Sequence, residues 1–244
     1  EVAQRAVREL IKQGVVAIIG PMTSAMAIAI APIADEAAIV LISPTVVANE
    51  LTGKDDYFLR RSSPMQQYVR KMALYQRHVR GLRRVTAVYD LNNRAYTEGW
   101  LNDFRVAFAE AGGEIIQAIG FASGGDTAFL RIAGELLAPQ PDGVVIIANS
   151  VDMAMFCQQI RKLDAHIPLI GSEWGATERL MELGGKSVEG LMVAQIFNRN
   201  NTTPRYETFR RIYLERFQRE PGFGGVAAFD AANVVLESLS RRPK

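Results

Sequence analysis

The stretch that decides the fold runs Val85-Thr-Ala-Val-Tyr89, Asp90-Leu-Asn-Asn-Arg-Ala-Tyr96, then on to Gly112-Gly113 and Glu114-Ile-Ile-Gln-Ala-Ile119. Its first five residues are apolar or β-branched without strict alternation, as in a strand covered on both faces. Trp100, Phe104, Phe108 and Ala111 then recur at three-to-four spacing, which places them on one face of a helix over 96–111. The glycine pair stops that helix, because glycine accepts the left-handed conformation of a helix end. Glu114–Ile119 reads as the next strand. Strand, helix, strand in one unit predicts a parallel sheet.

The same alternation extends in both directions. Strand-like runs recur at Val15–Ile19, Ile39–Ile42, Val144–Ile147, Leu169–Ile170 and Leu191–Ile196. Helical stripes between them are Phe129, Ile132, Leu136 and Leu137, then Met155, Ile160 and Leu163, then Phe209, Ile212, Tyr213 and Phe217. These apolar stripes are core packing. The chain therefore reads as α/β. Loops 198–203 and 220–225 are the best linker candidates.

Bulk properties narrow the function. The 244 residues are 48% hydrophobic and 22% charged, enough for one large core or two smaller ones. The 28 basic and 26 acidic residues are spread along the chain, and the small basic clusters at 80–84 and 210–211 read as solvated helix ends. No basic stripe argues for nucleic acid as a partner. The one cysteine, Cys157, permits no intrachain disulfide and reads as a buried thiol. The longest apolar run, Ala25–Ile33, is too short to span a bilayer and contains Pro32. The chain opens at Glu1-Val-Ala-Gln inside a helical pattern without a signal peptide, which predicts that an N-terminal portion is missing or processed off.

Enzyme motifs fail on inspection. With only His78 and His166, a histidine-rich metal site is out. Gly184-Gly-Lys-Ser187 ends like a phosphate-binding loop, but position 180, which needs glycine, is Leu180. Gly171-Ser-Glu-Trp-Gly175 lacks the central serine of a nucleophile elbow. Asp55-Asp56 reads as a solvated turn.

Binding chemistry fits better. Gly20–Ser24, Ser43–Val47, Tyr96, Asn149-Ser150 and Glu173 each lie where a strand pattern gives way to a helical one, and in an open α/β sheet that rim is where ligands bind. A zwitterion needs backbone N–H groups and hydroxyls for its carboxylate, best at a helix N-terminus. Ser24 opens a helical run and can offer both, or serve as a plain N-cap. The ammonium needs an acceptor-only anion. Glu173 supplies one, unless it is a solvated loop acid. Tyr96 reads as a residue closing over a ligand or as a capping or core tyrosine, and Trp174 as a pocket wall or a packing residue.

At this point the residues resemble the type I periplasmic solute-binding proteins of the leucine/isoleucine/valine-binding branch. The resemblance rests on Gly14–Ser24, Ile42–Thr52, Tyr57–Arg60, Tyr96–Gly99, Pro141–Val145, Pro168–Gly171, Val188–Gly190 and Ala228–Ala232, in family order over nearly the whole chain. It implies two doubly wound parallel-sheet lobes joined by a hinge. One would hold 1–61 plus 198–244, the other 62–197, with the N-terminal strand–helix–strand and the last strands of the first lobe unmatched. It implies that Ser24 binds a ligand carboxylate and that Thr45, Val46 and Val47 form the loop supplying backbone groups and a hydroxyl. Tyr96 falls on a cleft tyrosine, Asn149 or Ser150 near a second one, and Glu173 on the ammonium partner. Val47 departs from the family's threonine. The expected function is extracytoplasmic, periplasmic or extracellular, capture of a small amino acid or related carboxylate, without cofactor or metal. The implied partner is the membrane permease of an ABC importer. The alternatives are a receptor's ligand-sensing domain with a signalling domain as partner, a ligand-responsive regulator and, last, an α/β enzyme.

Overall fold

The computed structural model describes residues 1–195, 197–198 and 200–241. The chain folds into two compact units, Glu1–Pro64 with Phe197–Lys244, and Met65–Ile196.

The first unit opens with helix α1 (Val2–Lys12), strand β1 (Ala17–Ile19), helix α2 (Ser24–Glu36) and strands β2 (Val40–Ser43) and β3 (Phe58–Arg60). The second runs α3 (Met65–His78), β4 (Arg84–Asp90), α4 (Arg94–Glu110), β5 (Glu114–Phe121), α5 (Phe129–Leu137), β6 (Gly143–Ile147), α6 (Ser150–Leu163), β7 (Leu169–Gly171), α7 (Glu178–Gly184) and β8 (Met192–Val193). The chain then returns to the first unit with α8 (Pro204–Phe217) and α9 (Phe223–Ser240).

The first unit's sheet has the order β1-β2-β3, and both pairings are parallel. Its core joins Val7, Ile18, Ala27, Ile30, Leu41, Val46 and Phe58. The second unit's sheet has the order β5-β4-β6-β7-β8, again all parallel. Strand β4 lies between β5 and β6, so the order reverses there, and the carboxyl ends of β4 and β6 flank a topological switch point. All five residues of β6 are buried, which is why that run carries no alternation in sequence. Trp100, Phe104 and Phe108 stack along α4 with centroids 5.3 and 5.2 Å apart. Phe121, Phe129 and Phe156 form a second aromatic group. Gly112 takes φ +79°, and a Cβ on Gly113 would lie 2.5 Å from the Phe108 ring. The glycine pair therefore ends α4 and also lets the turn pass over that ring.

Several expectations need correction. The strand expected over Leu191–Ile196 shrinks to Met192–Val193, because β7 offers only Ile170 and Gly171 as partners; Ile196 lies outside the described residues. Strand β3 has no clear signal in the sequence, since only Phe58 of its three residues is buried. The stripe on α6 is Met153, Phe156, Cys157 and Ile160, all fully buried, while Met155 is half-buried and Leu163 is exposed. The expected set on α6 thus joined apolar residues of two helical phases. On α8, Phe209 is buried but Ile212 and Phe217 are exposed. The 220–225 segment is not all loop, since Phe223–Gly225 open α9.

Two outcomes follow from the second unit's core. Phe156→Ala should lower stability by about 3–5 kcal/mol in urea unfolding; a loss under about 1 kcal/mol would show that the aromatic group does not anchor the sheet. Burial pushes the Cys157 thiol up to about 12. A thiol reagent at neutral pH should therefore leave the folded protein unmodified and react on unfolding. Rapid native-state labelling would contradict that burial.

Candidate functional site

The candidate residues of the second unit gather at the carboxyl ends of its strands. Glu173 follows β7, and Tyr96 lies in the first turn of α4, just beyond β4. The Glu173 side chain turns inward and is 5% exposed, which excludes the solvated-acid reading. Its Oε1 accepts hydrogen bonds from Tyr68 Oη at 2.6 Å and Tyr96 Oη at 2.7 Å. Its Oε2 accepts one from Trp100 Nε1 at 3.1 Å. Among the described residues, no cation pairs with it.

The electrostatics follow from that geometry. Burial pushes the Glu173 carboxyl above its ordinary range, while hydrogen bonds from Tyr68, Tyr96, its own backbone N–H and Trp100 pull the other way. Burial comes first in raising both tyrosine hydroxyls well above theirs, with the Glu173 charge next. Both phenols therefore stay protonated and act as donors to the carboxylate. Three neutral side-chain donors and a backbone N–H hold a carboxyl group that no positive side chain compensates among the described residues.

Trp174 meets Tyr96 edge to face, with centroids 5.6 Å apart and an interplanar angle of 79°. Asn149 is the N-cap of α6. Its Oδ1 accepts from the N–H groups of Val151 and Asp152, and its Nδ2 donates to Asp152 Oδ2 at 2.6 Å. Its Oδ1 and one of the two Nδ2 hydrogens are thus engaged, whereas Ser150 opens the helix half-buried.

In the first unit, the loops after β1 and β2 are stitched together. Ser43 Oγ donates to the Pro21 carbonyl at 2.7 Å, and Thr45 Oγ1 donates to the Met22 carbonyl at 2.6 Å. Ser43 Oγ also accepts from the Val46 N–H at 3.1 Å. Thr45 thus has no hydroxyl hydrogen left to donate, and the Val46 N–H is used. Val46 and Val47 side chains are buried, which leaves the Val47 backbone, with its N–H, as the polar part of that residue. Among the described residues that N–H makes no hydrogen bond. Ser24 is the first residue of α2, 2% exposed, and the N-cap is Thr23. The plain N-cap reading of Ser24 is therefore displaced by one residue.

The first unit also holds a cavity of about 240 Å³ lined by Arg61, Tyr206, Phe209, Phe229 and Asp230, among others. Ser24, Thr45, Val46 and Val47 do not line it. Arg61 and Asp230 form an ion pair at 3.0 Å across its wall.

Sequence reasoning missed two members of the Glu173 cluster. Trp100 reads only as core in the sequence, though it lies one helical turn after Tyr96 and so on the same face. Tyr68 is 105 residues from Glu173 in sequence, and no local pattern connects them.

Comparison with known proteins places these features. The chain matches none of the curated proteins at a significant level. The sequence profile of the periplasmic binding proteins matches residues 1–242. Among solved structures, a leucine-binding protein, LivK, of Thermotoga maritima is 27% identical, with a TM-score of 0.89 over 98% of this chain and 68% of its own. LivJ, a branched-chain amino-acid transporter substrate-binding protein of Streptococcus pneumoniae in complex with isoleucine, is 21% identical, with a TM-score of 0.84 over 96% and 67%. A solute-binding protein of an ABC transporter of R. palustris in complex with benzoate is 20% identical, with a TM-score of 0.84 over 95% and 64%. The chain thus spans about two thirds of the length of these structures. The profile match and the shared architecture show that the chain belongs to the periplasmic binding protein family, in its type I form, whose members are extracytoplasmic solute-binding proteins and not enzymes.

Proposed function

We propose that the protein captures a small amino acid and delivers it to the membrane permease of an ABC importer. The observation that carries this reading is the buried Glu173 carboxylate at the strand ends, held by neutral donors and lacking a cationic partner among the described residues. An unpaired buried charge is costly, and a ligand ammonium is the counter-charge that would relieve it. In this reading the ligand carboxylate is met by Ser24 and the Val47 N–H, at the positive end of α2. Thr45 and Val46 shape that loop, and Trp174, Tyr96 and Ser150 wall the ligand, with Asn149 fixing the start of α6. Leucine and isoleucine, named for the relatives from T. maritima and S. pneumoniae, are the first ligands to try.

A second reading keeps the binding function but changes the ligand. Three side-chain donors and its own backbone N–H already serve the roughly four acceptor positions of the Glu173 carboxylate. A carboxylate already so well served favours an acid without an amine, such as the benzoate named for the R. palustris protein.

Calorimetric titration with leucine and with benzoate separates the two. Glu173→Gln should fold, because the amide can accept from Trp100 and donate to both tyrosine oxygens, which are acceptors as well as donors. It should weaken leucine by about 2 kcal/mol or more, since it removes the counter-charge of a desolvated ammonium. Leucine affinity untouched by the change, with benzoate binding instead, would decide for the second reading. Ser24→Ala should cost either ligand about 1.5–3 kcal/mol, the range of a hydrogen bond to a charged group. An unchanged affinity would remove Ser24 from the site.

Charge burial also has a signature in the ligand-free protein. Folding raises the Glu173 carboxyl pKa through burial, so the folded state binds that proton more tightly than the unfolded chain. The side chain's contribution is most favourable in acid and is lost as pH rises from the ordinary carboxyl range through the raised value. Glu173→Gln should therefore gain stability over the parent protein as pH rises through that window. A stability difference independent of pH would show that the carboxyl is not perturbed.

A further inference from the structure

The donors around Glu173 differ in how deeply they are fixed. Trp100 is fully buried and Tyr96 is 4% exposed, and both project from α4. Tyr68 projects from the first turn of α3 and keeps part of its surface exposed. Glu173 itself is 5% exposed, and Tyr68 is the least buried of the three side chains that donate to it. Oε1 already accepts from two phenols, whereas Oε2 faces the buried indole. An incoming amine cannot add to Oε1 without replacing a donor, and Tyr68 is the less buried of the two. Its hydroxyl loses little by leaving, because water can satisfy it outside.

We propose that Tyr68 is an exchangeable stand-in for the ligand's ammonium: its hydroxyl holds the Glu173 carboxylate until an amine takes the same position. This rests on the reading of Glu173 as the ammonium partner. Tyr68 then sets ligand selectivity in two ways. It competes with every amine, so that only an amine also held by its carboxylate displaces it. It also keeps the carboxylate satisfied in the empty protein, so that the anion does not draw in metal cations or collapse the strand ends. Tyr96 and Trp100 remain in place as positioning residues.

The test titrates the parent protein, Tyr68→Phe and Glu173→Gln with a panel of free amino acids, L-leucine first. Tyr68→Phe should bind about tenfold tighter, because the internal competitor is gone, while Glu173→Gln should bind at least tenfold weaker. A tyrosine that merely supports the fold or lines the site would instead give weaker binding on truncation. Unchanged or weaker binding by Tyr68→Phe, with Glu173→Gln still weakened, overturns the exchange and leaves the Glu173 reading standing. Glu173→Gln binding as well as the parent overturns both, as does the absence of binding by any amino acid. A second measurement needs no variant in the assay itself: in protein labelled with 3-fluorotyrosine, the Tyr68 resonance, assigned by its loss in Tyr68→Phe or Tyr68→Leu, should move on adding the bound amino acid. A resonance that stays put on saturation overturns the exchange.

Discussion

A carboxylate without a cation is the constraint around which the second unit's strand ends are built. Taking an anion out of water is costly, and proteins usually meet the cost with a positive side chain. Here Tyr68 and Tyr96 hydroxyls and the Trp100 indole meet it instead. Three donors from two helices must converge on one side chain. That fixes the first turn of α3 and the first two turns of α4 against the end of β7. The T-shaped contact of Trp174 with Tyr96 belongs to the same arrangement. Neutral donors hold the charge without neutralising it.

The strand ends of the first unit are organised by different means. It offers no charge at the ends of β1 and β2 among the candidate residues, only the opening of α2 and two loops tied together through Ser43 and Thr45. Spending those hydroxyls on carbonyls ties the loops together, while the Val47 N–H makes no hydrogen bond among the described residues. Val47 in place of a threonine is tolerable because its side chain is buried; a hydroxyl there would have needed an internal partner.

The alternation of strands and helices was legible because buried parallel strands are apolar runs, and β6, buried along its whole length, is the clearest case. The α4 stripe was legible because the aromatic residues share one phase. On α6 apolarity alone does not give the phase: Met155 and Leu163 are apolar but lie off the buried face, while Cys157 packs on it as a hydrophobe. Short edge strands were misjudged at both sheets, since their length is set by the neighbour's and not by their own residues. Glu173 and Tyr96 could be picked out by their places after strands. Tyr68 could not, because its partnership is purely tertiary. Asn149 was found as a polar residue at a strand end, yet its bonds to Val151, Asp152 and the Asp152 carboxylate show it serving the helix.

The chain visits the first unit, builds the whole of the second, and returns. The Arg61–Asp230 ion pair therefore closes a loop of 169 residues. Every member of the second unit's aromatic and aliphatic core lies between Met65 and Ile196, so that unit can condense from contiguous chain. Once it has, most of the intervening loop is a body with fixed ends, and the entropy left to be lost in bringing α9 to β1 and β2 is that of short connecting segments. An interruption that looks like a topological burden on the first unit thus costs little closure entropy once the inserted unit is folded.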